Sequence, residues 1–376
     1  MCFALFVLAR RSFSWAHAMQ KNAWVVVMLL IMLASVLWSD IPYTSLSRWV
    51  REVQAFIMAS VVLSEPFPRH TMESIFKRTI YVLIPFSVLL IKYFPEYGVA
   101  FGRWSGSQMW IGVAQQKNGL GRLASISILF LVWALVKRWK AHETPANKYQ
   151  THIDIFILAI AVWLLRGPGG DLFTSATSAY ALGAALLVYF GLIVMKRYNL
   201  KISMGLLMLM PVVIILFGII TVLMSGASVG FLASSAGRDA SLTGRTDIWA
   251  ELLPVAMQRP ILGKGFGGFW TSKTIDLFRI SEAHNGYLEA FIGLGILGVL
   301  LILAFVLSCC RRSYRELSAN FYWGTLFYCY IIMVVVHNIA EASIDSLANH
   351  MSAVLLFLYV LSSSASTYDH NKEGDI

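Results

Sequence analysis

Ser203-Met-Gly-Leu-Leu-Met-Leu-Met-Pro-Val-Val-Ile-Ile-Leu-Phe-Gly-Ile-Ile-Thr-Val-Leu-Met224 contains no charged residue. It is about as long as the roughly 20 apolar residues that cross a bilayer as a helix. Its apolar character is continuous, whereas a barrel strand would alternate. Lipid offers backbone groups no partner, so helices and closed barrels are the structures able to span it, and this run reads as a helix. Working outward, comparable runs lie near 23–38, 50–63, 79–93, 119–136, 153–165, 173–195, 286–308, 321–339 and 349–364. The second is short and carries Gln54, so the expectation is an all-α membrane bundle of about ten spans, that one tilted or half-buried.

Composition agrees. Hydrophobic residues make up 58% of the 376 residues and charged residues 13%, against about 25% charged in a soluble domain. Mean hydropathy is +0.68. The net charge of +10 arises from basic loops and implies no nucleic acid, since the chain has no zinc-finger spacing, RNA-binding signature or sustained basic helix. Cys2, Cys309, Cys310 and Cys329 lie in or beside apolar segments without CxxC spacing, so neither a disulfide nor a metal site is expected. Met1–Ala9 is apolar, too short to span, and followed by Arg10-Arg11. A signal peptide places its charge before the apolar run, so this stretch reads as the tail of a helix whose beginning is missing.

Basic residues set the orientation. Arg10, Arg11 and Lys21; Arg69, Lys77 and Arg78; Lys137, Arg138, Lys140 and Lys148; Lys196, Arg197 and Lys201; and Arg311, Arg312 and Arg315 occupy alternate connections, with Lys372 in the tail on the same side. That is the positive-inside pattern, and it makes this side cytoplasmic. The candidate residues Arg48, Arg103, Lys117, Asn118, Arg122, Arg166, Arg238, Arg245 and His284 then all face outward. The domains read as an N-terminal membrane bundle over 1–224, a long periplasmic loop over 225–283, C-terminal membrane helices over 284–364 and a polar cytoplasmic tail over 365–376. Ser175, Ala179 and Gly183 form a small-residue stripe of the kind that lets helices approach closely.

The long loop is too apolar for a linker. It holds Trp249, Leu252, Leu253, Phe266, Phe269, Trp270 and Phe278. Thr243 or Asp247 is the expected cap of a short helix through Ile248–Leu253, stopped near Pro254 or Pro260. Gly263, Gly265, Gly267 and Gly268 follow and mark either an unusual backbone path beside a ligand or a turn between two helices. Arg245 presents a planar fork suited to phosphate oxygens or, alternatively, an anchor at the headgroups. His284, at the mouth of a span beside Asn285 and Glu289, is a residue able to exchange a proton near pH 7. Glu289 and Glu341 lie near the outer ends of their helices, with Asn338 and Asp345, and must face a partner or a cavity because a charge in lipid is costly. They either pair with outer arginines or take part directly. Lys117, Asn118 and Arg122 open a span, where a helix N-terminus favours anions, although Lys117 also has the reach to snorkel. Arg48 opens the short second span and has the same two options.

These elements resemble the O-antigen ligase and O-antigen polymerase superfamily, and within it the exopolysaccharide polymerases of the succinoglycan type. The resemblance runs over most of the chain: Trp38-Ser-Asp40 with Ser47-Arg48; Gln116-Lys-Asn-Gly-Leu-Gly121; Ser175-Ala-Thr-Ser178; Leu242-Thr-Gly-Arg-Thr-Asp-Ile-Trp249; Gly263-Lys-Gly-Phe-Gly267; and His284-Asn285, followed after nine residues by Gly295 and then Gly298. Ligases often carry an arginine where this chain has Ser175–Ser178, so the form here looks more like the polymerase branch. The resemblance implies a GT-C-like bundle in the bacterial inner membrane and catalysis without cofactor or metal on an undecaprenyl-diphosphate-linked oligosaccharide. It also implies work beside chain-length regulators and export proteins. His284 and Arg245 would be catalytic. Arg48, Lys117, Asn118, Arg122, Asn285, Glu289 and Glu341 would bind diphosphate or glycan. A flippase is the rival class, but it would need polar groups through the midplane and related halves, and neither is seen in the sequence.

Overall fold

A computed structural model describes residues 1–101, 106, 108–140, 145–169, 175–225 and 244–363. Among these the chain is almost wholly helical: α1 (Cys2–Arg10), α2 (Trp15–Lys21), α3 (Ala23–Ala34), α4 (Pro42–Leu63), α5 (Pro68–Tyr93), α6 (Pro95–Gly98), α7 (Lys117–Lys140), α8 (Pro145–Arg166), α9 (Ala176–Arg197), α10 (Met204–Ser225), α11 (Arg245–Ala256), α12 (Ser272–Phe278), α13 (Gly286–Ala319), α14 (Phe321–His337) and α15 (His350–Leu361). A 3-10 turn, Ser35–Trp38, extends α3. Strands β1 (Val99–Phe101) and β2 (Gln108–Trp110) form one antiparallel pair, Ala100 opposite Met109.

Each apolar run read from the sequence falls on a helix. Six helices (α5, α7, α8, α9, α10 and α13) are long and apolar enough to span, and the α2–α3 pair, bent by 94°, makes up to seven. α14 and α15 are apolar but shorter. α4 is long enough, but Arg48, Arg51 and Glu52 near its middle give it a polar face. The count of about ten therefore resolves into six or seven full spans and three helices that meet length or apolarity but not both.

The helices form two compact units that do not follow chain order. The first comprises Met1–Ser64, Ile202–Glu316 and Val334–Ile376; the second comprises Glu65–Lys201 and Leu317–Met333. In the second unit α7 is the central helix. Phe76 and Phe130 stack at 4.9 Å, and Trp133 meets Trp323 edge-on at 5.8 Å. Gly121 lies against Ser175 and Ser178, where an added Cβ would come within 2.5 Å of the Ser175 Cβ, whereas nothing lies near Gly183. The small-residue contact thus forms at Ser175 and Ser178 and does not extend along the expected stripe. Tyr81 and Arg138 both bond the fully buried Asp154.

In the first unit the segment from Arg245 to Ala283 folds onto the bundle. Trp249, Leu252 and Ala256 of α11 share a core with Phe269, Trp270, Ala283, Val222 of α10, and Leu288 and Ile292 of α13. The helix opens at Arg245, behind a left-handed Gly244, and runs past Pro254 to Ala256. Neither expected cap therefore holds the N-cap position: Asp247 lies in the first turn, and Thr243 is outside the described residues. α13 breaks at Gly295, which has φ 64 and ψ −156. The loop backbone takes up the groups this break releases: Lys264 N–H donates to Ile292 O at 2.9 Å and Ile296 N–H to Pro260 O at 2.8 Å. A side chain at Gly295 would come within 2.4 Å of the Ile261 carbonyl. Glycine at this position therefore lets the loop dock against a membrane helix whose freed backbone groups need partners.

Candidate functional site

Three chain segments of the first unit converge on Arg245. The first is the start of α11, which carries Arg245 itself. The second is 282–288, the entry to α13. The third is 338–349, an irregular stretch between α14 and α15. Glu341, Asn338 and Asp345 stand on this stretch, just past the end of α14. Asn338 and Ser343 are fully buried and Glu341 is 2% exposed. A buried irregular segment must bond its own backbone. Asn338 Oδ1 accepts from Ser343 N and Ile344 N, each at 3.0 Å; Asn349 Nδ2 donates to Ala342 O at 2.9 Å; and Ala348 N donates to Glu52 Oε2 at 3.0 Å. His337 Nδ1 lies 2.7 Å from Ser343 Oγ.

The entry to α13 is fixed as firmly. Asn285 Oδ1 accepts from Tyr287 N at 3.0 Å and Leu288 N at 2.9 Å, capping the helix, while its Nδ2 donates to Ile339 O at 2.8 Å. Gly286 N donates to Asn338 O at 3.0 Å, and a Cβ on Gly286 would strike Asn338. Trp249 Nε1 donates to Ala283 O at 2.9 Å. Held from both sides, His284 takes φ 48, a left-handed conformation that a non-glycine residue adopts only when its surroundings impose it.

The result is a charged cluster. Arg245 Nη2 bonds Glu341 Oε1. His284 Nδ1 lies 3.2 Å from Glu282 Oε1 and 3.8 Å from Glu341 Oε2, in ion-pair range but without an aligned hydrogen bond. Burial opposes the charge on His284, but the Glu341 and Glu282 carboxylates more than offset it and raise its pKa above the ordinary 6.5. Burial likewise favours neutral Glu341, yet contact with His284 and the field of Arg245 hold its pKa below 4.5. The arrangement therefore favours the protonated ring and the ionised carboxylate over their neutral forms. Glu282, His284 and Glu341 also set their ligand atoms within 4.8 Å of one another, spacing compatible with a metal ion, although the Arg245 guanidinium occupies one Glu341 oxygen. Sequence reasoning passed over Glu282 and His337, although Glu282 is only two residues from His284. Nothing local marks a surface glutamate or a helix-end histidine until the fold brings Glu341 to them.

Beside the cluster lies a cavity of about 410 Å³ whose lining includes Arg48, Glu282, Glu289 and Trp270. Glu289 accepts from Trp270 Nε1 and, at 2.9 Å, from Ala283 N. Arg48 donates to the Gly267 carbonyl. Gly267 has φ 63, and a Cβ there would come within 2.5 Å of Arg48 Cδ, so the glycine run follows an unusual backbone path against an arginine. Ser35 Oγ accepts from Phe266 N at 2.9 Å and Trp38 Nε1 donates to Leu262 O at 3.1 Å, which joins the motifs around Trp38 and Gly263. The structure thus brings together Arg245, His284 and Glu341, with Asn285, Glu289 and Arg48 around them. Lys117, Asn118 and Arg122 stand at the start of α7 in the second unit; Lys117 is exposed and the other two are half-buried. Arg103 and Arg238 lie outside the described residues.

Fold and site define a multi-pass helical membrane protein with an arginine–carboxylate–histidine cluster where the segment from Arg245 to Ala283 meets the membrane helices. Comparison with known proteins then shows what the chain is similar to. The O-antigen ligase family model matches residues 169–303, a stretch that includes Arg245, Glu282, His284, Glu289 and Gly295. The exopolysaccharide production protein ExoQ of Rhizobium meliloti (strain 1021) is 21% identical over 305 residues, covering 74% of this chain and 62% of that protein. The chain thus spans under two thirds of the length of this relative. Both findings agree with the resemblance to the O-antigen ligase and polymerase superfamily read from the sequence.

Proposed function

We propose that this protein is a glycosyltransferase of the bacterial inner membrane that joins lipid-linked oligosaccharides into a polysaccharide on the periplasmic face. The donor in this reading is an undecaprenyl-diphosphate-linked glycan, and no cofactor or metal takes part. The observation that carries it is the cluster of Arg245, Glu341 and His284, a guanidinium held by a carboxylate next to a conformationally forced histidine. The family and the basic-loop asymmetry support the substrate class and the orientation.

The chemistry follows from the geometry. An acceptor hydroxyl oxygen attacks the anomeric carbon as the bond from that carbon to the diphosphate breaks, inverting the centre. Arg245 exchanges part of its contact with Glu341 for the departing diphosphate, whose developing charge it stabilises; a charge-assisted hydrogen bond contributes about 1.5–3 kcal/mol. The hydroxyl proton passes to His284 when its ring is neutral. When the ring is protonated, His284 instead donates to the leaving oxygen, and the hydroxyl proton passes to solvent. Glu282 and Glu341 orient the ring from its Nδ1 side. Asn285 acts by capping α13 and fixing the position of His284. Arg48 and Glu289 line the glycan path, and Lys117, Asn118 and Arg122 bind diphosphate or glycan.

The test is a reaction of purified protein in lipid with undecaprenyl-diphosphate oligosaccharide alone. A ladder of longer glycans supports polymerisation. Transfer that waits for added lipid A core makes the protein a ligase. Donor crossing the bilayer without new glycosidic bonds makes it a flippase.

A further inference from the structure

The cavity beside the cluster has contents that the transfer chemistry does not use. Its volume of about 410 Å³ lies in the usual range for small-ligand sites, roughly 300–1,000 Å³. Its polar lining is Arg51, Glu52, Glu282, Glu289 and Asp345 together with Arg48, and Trp270 contributes to the wall. Glu282 belongs to both the cavity and the cluster, since its Oε1 is 3.2 Å from His284 Nδ1. A group bound in the cavity therefore lies next to the histidine proposed to handle the attacking hydroxyl.

We infer that this cavity, resting on the glycosyl-transfer reading, is the subsite for the terminal sugar of the acceptor, and that it selects a neutral sugar over an acidic one. A sugar ring offers hydroxyls at its rim and C–H groups on its faces. Carboxylates meet the first need. Glu52 already accepts from Ser346 Oγ at 2.7 Å and Ala348 N at 3.0 Å, and Glu289 from Trp270 and Ala283. A carboxyl group keeps lone pairs beyond those two bonds whether ionised or protonated, so each retains acceptor capacity for a hydroxyl while its internal bonds hold it rigid. Trp270 and its neighbour Phe269, 4.8 Å apart between ring centroids, supply an aromatic wall for the C–H face. Four carboxyl groups (Glu52, Glu282, Glu289 and Asp345) line the cavity against the two guanidiniums of Arg48 and Arg51, and burial pushes the Glu52 carboxyl up to about 7, so the excess of negative charge grows as pH rises past neutral. A uronic acid carboxylate would meet like charge, and such juxtapositions are strongly unfavourable.

The experiment reads binding without turnover. Wild-type protein in lipid nanodiscs is titrated with cellobiose, a neutral disaccharide, with its uronic acid counterpart cellobiouronic acid, and with undecaprenyl phosphate, following tryptophan fluorescence and heat. The subsite predicts cellobiose binding, cellobiouronic acid weaker by about 10-fold or more, and a smaller gap in Asp345→Asn. Ala290→Phe, which fills the cavity from α13, should abolish cellobiose binding while thermal unfolding shows the protein folded. Equal binding of both disaccharides, binding that survives Ala290→Phe, no binding of cellobiose, or displacement of cellobiose by undecaprenyl phosphate would each overturn the assignment, the last by giving the cavity to the lipid. The two readings separate cleanly. A protein that binds cellobiose as described but forms no glycan keeps the cavity assignment and loses glycosyl transfer. One that extends glycans yet ignores cellobiose does the reverse.

Discussion

Arg245 and Arg312 both carry a guanidinium into the interior of the same unit, and they hold it differently. Arg312, only 9% exposed, donates to the carbonyls of Lys21 and Tyr359 and, at 3.0 Å, to Asn22 Oδ1, with its Cζ 3.5 Å from the Tyr359 ring centre. These neutral acceptors join the α2–α3 bend to α15. They are tied into the backbone, so nothing there is free to exchange for a ligand. Arg245, 16% exposed on its side chain, bonds a carboxylate that also lies near an imidazole. A carboxylate can give way to a phosphate, because one anion replaces another without leaving the guanidinium bare. The difference separates an arginine that holds helices together from one suited to meeting an anionic substrate.

The largest expected effect tests that separation directly. Arg245→Ala should lower kcat/KM for glycan extension by about 10²–10³-fold in the molecules that remain folded, the usual loss when a donor to a developing negative charge is removed, beyond the fall in thermal stability that comes from leaving the buried Glu341 without its guanidinium. Arg312→Ala should act on stability alone. It strands the acceptors of Lys21, Asn22 and Tyr359, at about 1–3 kcal/mol for each buried group left unbonded, so the melting temperature should fall while the molecules that remain folded keep their turnover. Assays of rate and unfolding on both variants check this, and an Arg245→Ala that unfolds with an Arg312→Ala that stays folded but inactive would break the comparison.

Next comes the carboxylate that Arg245 shares. Glu341→Gln leaves the shape nearly intact and removes the charge, so a loss of about 10-fold, smaller than that of Arg245→Ala, is expected. It also bears on stability, with signs that can be worked out. His284 has its pKa raised by folding, so its contribution is fully present below pH 6.5 and is lost as pH rises through the higher folded value. Glu341 has its pKa lowered, so its contribution is present above pH 4.5 and is lost as pH falls through the lower folded value. The stability of the wild type should therefore fall at both flanks, and Glu341→Gln should flatten both.

A subtler change separates the two roles open to His284. Glu282→Gln removes one of the carboxylates that raise its pKa, so the His284 limb of the rate profile should move to lower pH. If the ring accepts the hydroxyl proton, activity rises with pH and the variant gains relative activity on the acid side. If the ring donates to the diphosphate, activity falls with pH and the variant loses it earlier. A profile that does not move would uncouple Glu282 from the histidine.

Much of this was legible in the sequence, and what was not has a physical reason. Continuous apolar runs such as 203–224 mark their helices because lipid allows few alternatives. Arg245 and His284 stand out because a planar cationic fork suits phosphate oxygens and an imidazole can exchange a proton near pH 7. The pairing of Arg245 with Glu341 was not legible, since the two are 96 residues apart and nothing in either neighbourhood encodes the other. Asn285 read as a binding residue because side-chain amides serve both ligands and helix caps, and only the fold shows its bonds spent on Tyr287, Leu288 and Ile339. The glycines around Gly263 signalled an unusual path, but its cause, a break at Gly295 whose backbone groups the loop satisfies, needed both partners in view.

Arg48 falls between the two arginines and gives the smallest test. Like Arg312 it donates to a backbone carbonyl, that of Gly267, but it also lines the cavity. Gly267→Ala places a methyl group where Arg48 Cδ now sits and forces alanine to φ 63, at a cost of about 1–3 kcal/mol for the backbone strain. Melting temperature should fall by several degrees, and Arg48 should be pushed from its bond. In the double variant with Arg48→Ala the clash disappears and the backbone strain remains. The stability losses should then be less than additive, with an interaction of about 0.5–3 kcal/mol. If Arg48 only fastens the loop, as Arg312 fastens its helices, sugar affinity in the double variant will follow stability. If Arg48 also contacts the glycan, affinity will drop beyond what the stability loss accounts for, and Arg48 will belong with Arg245.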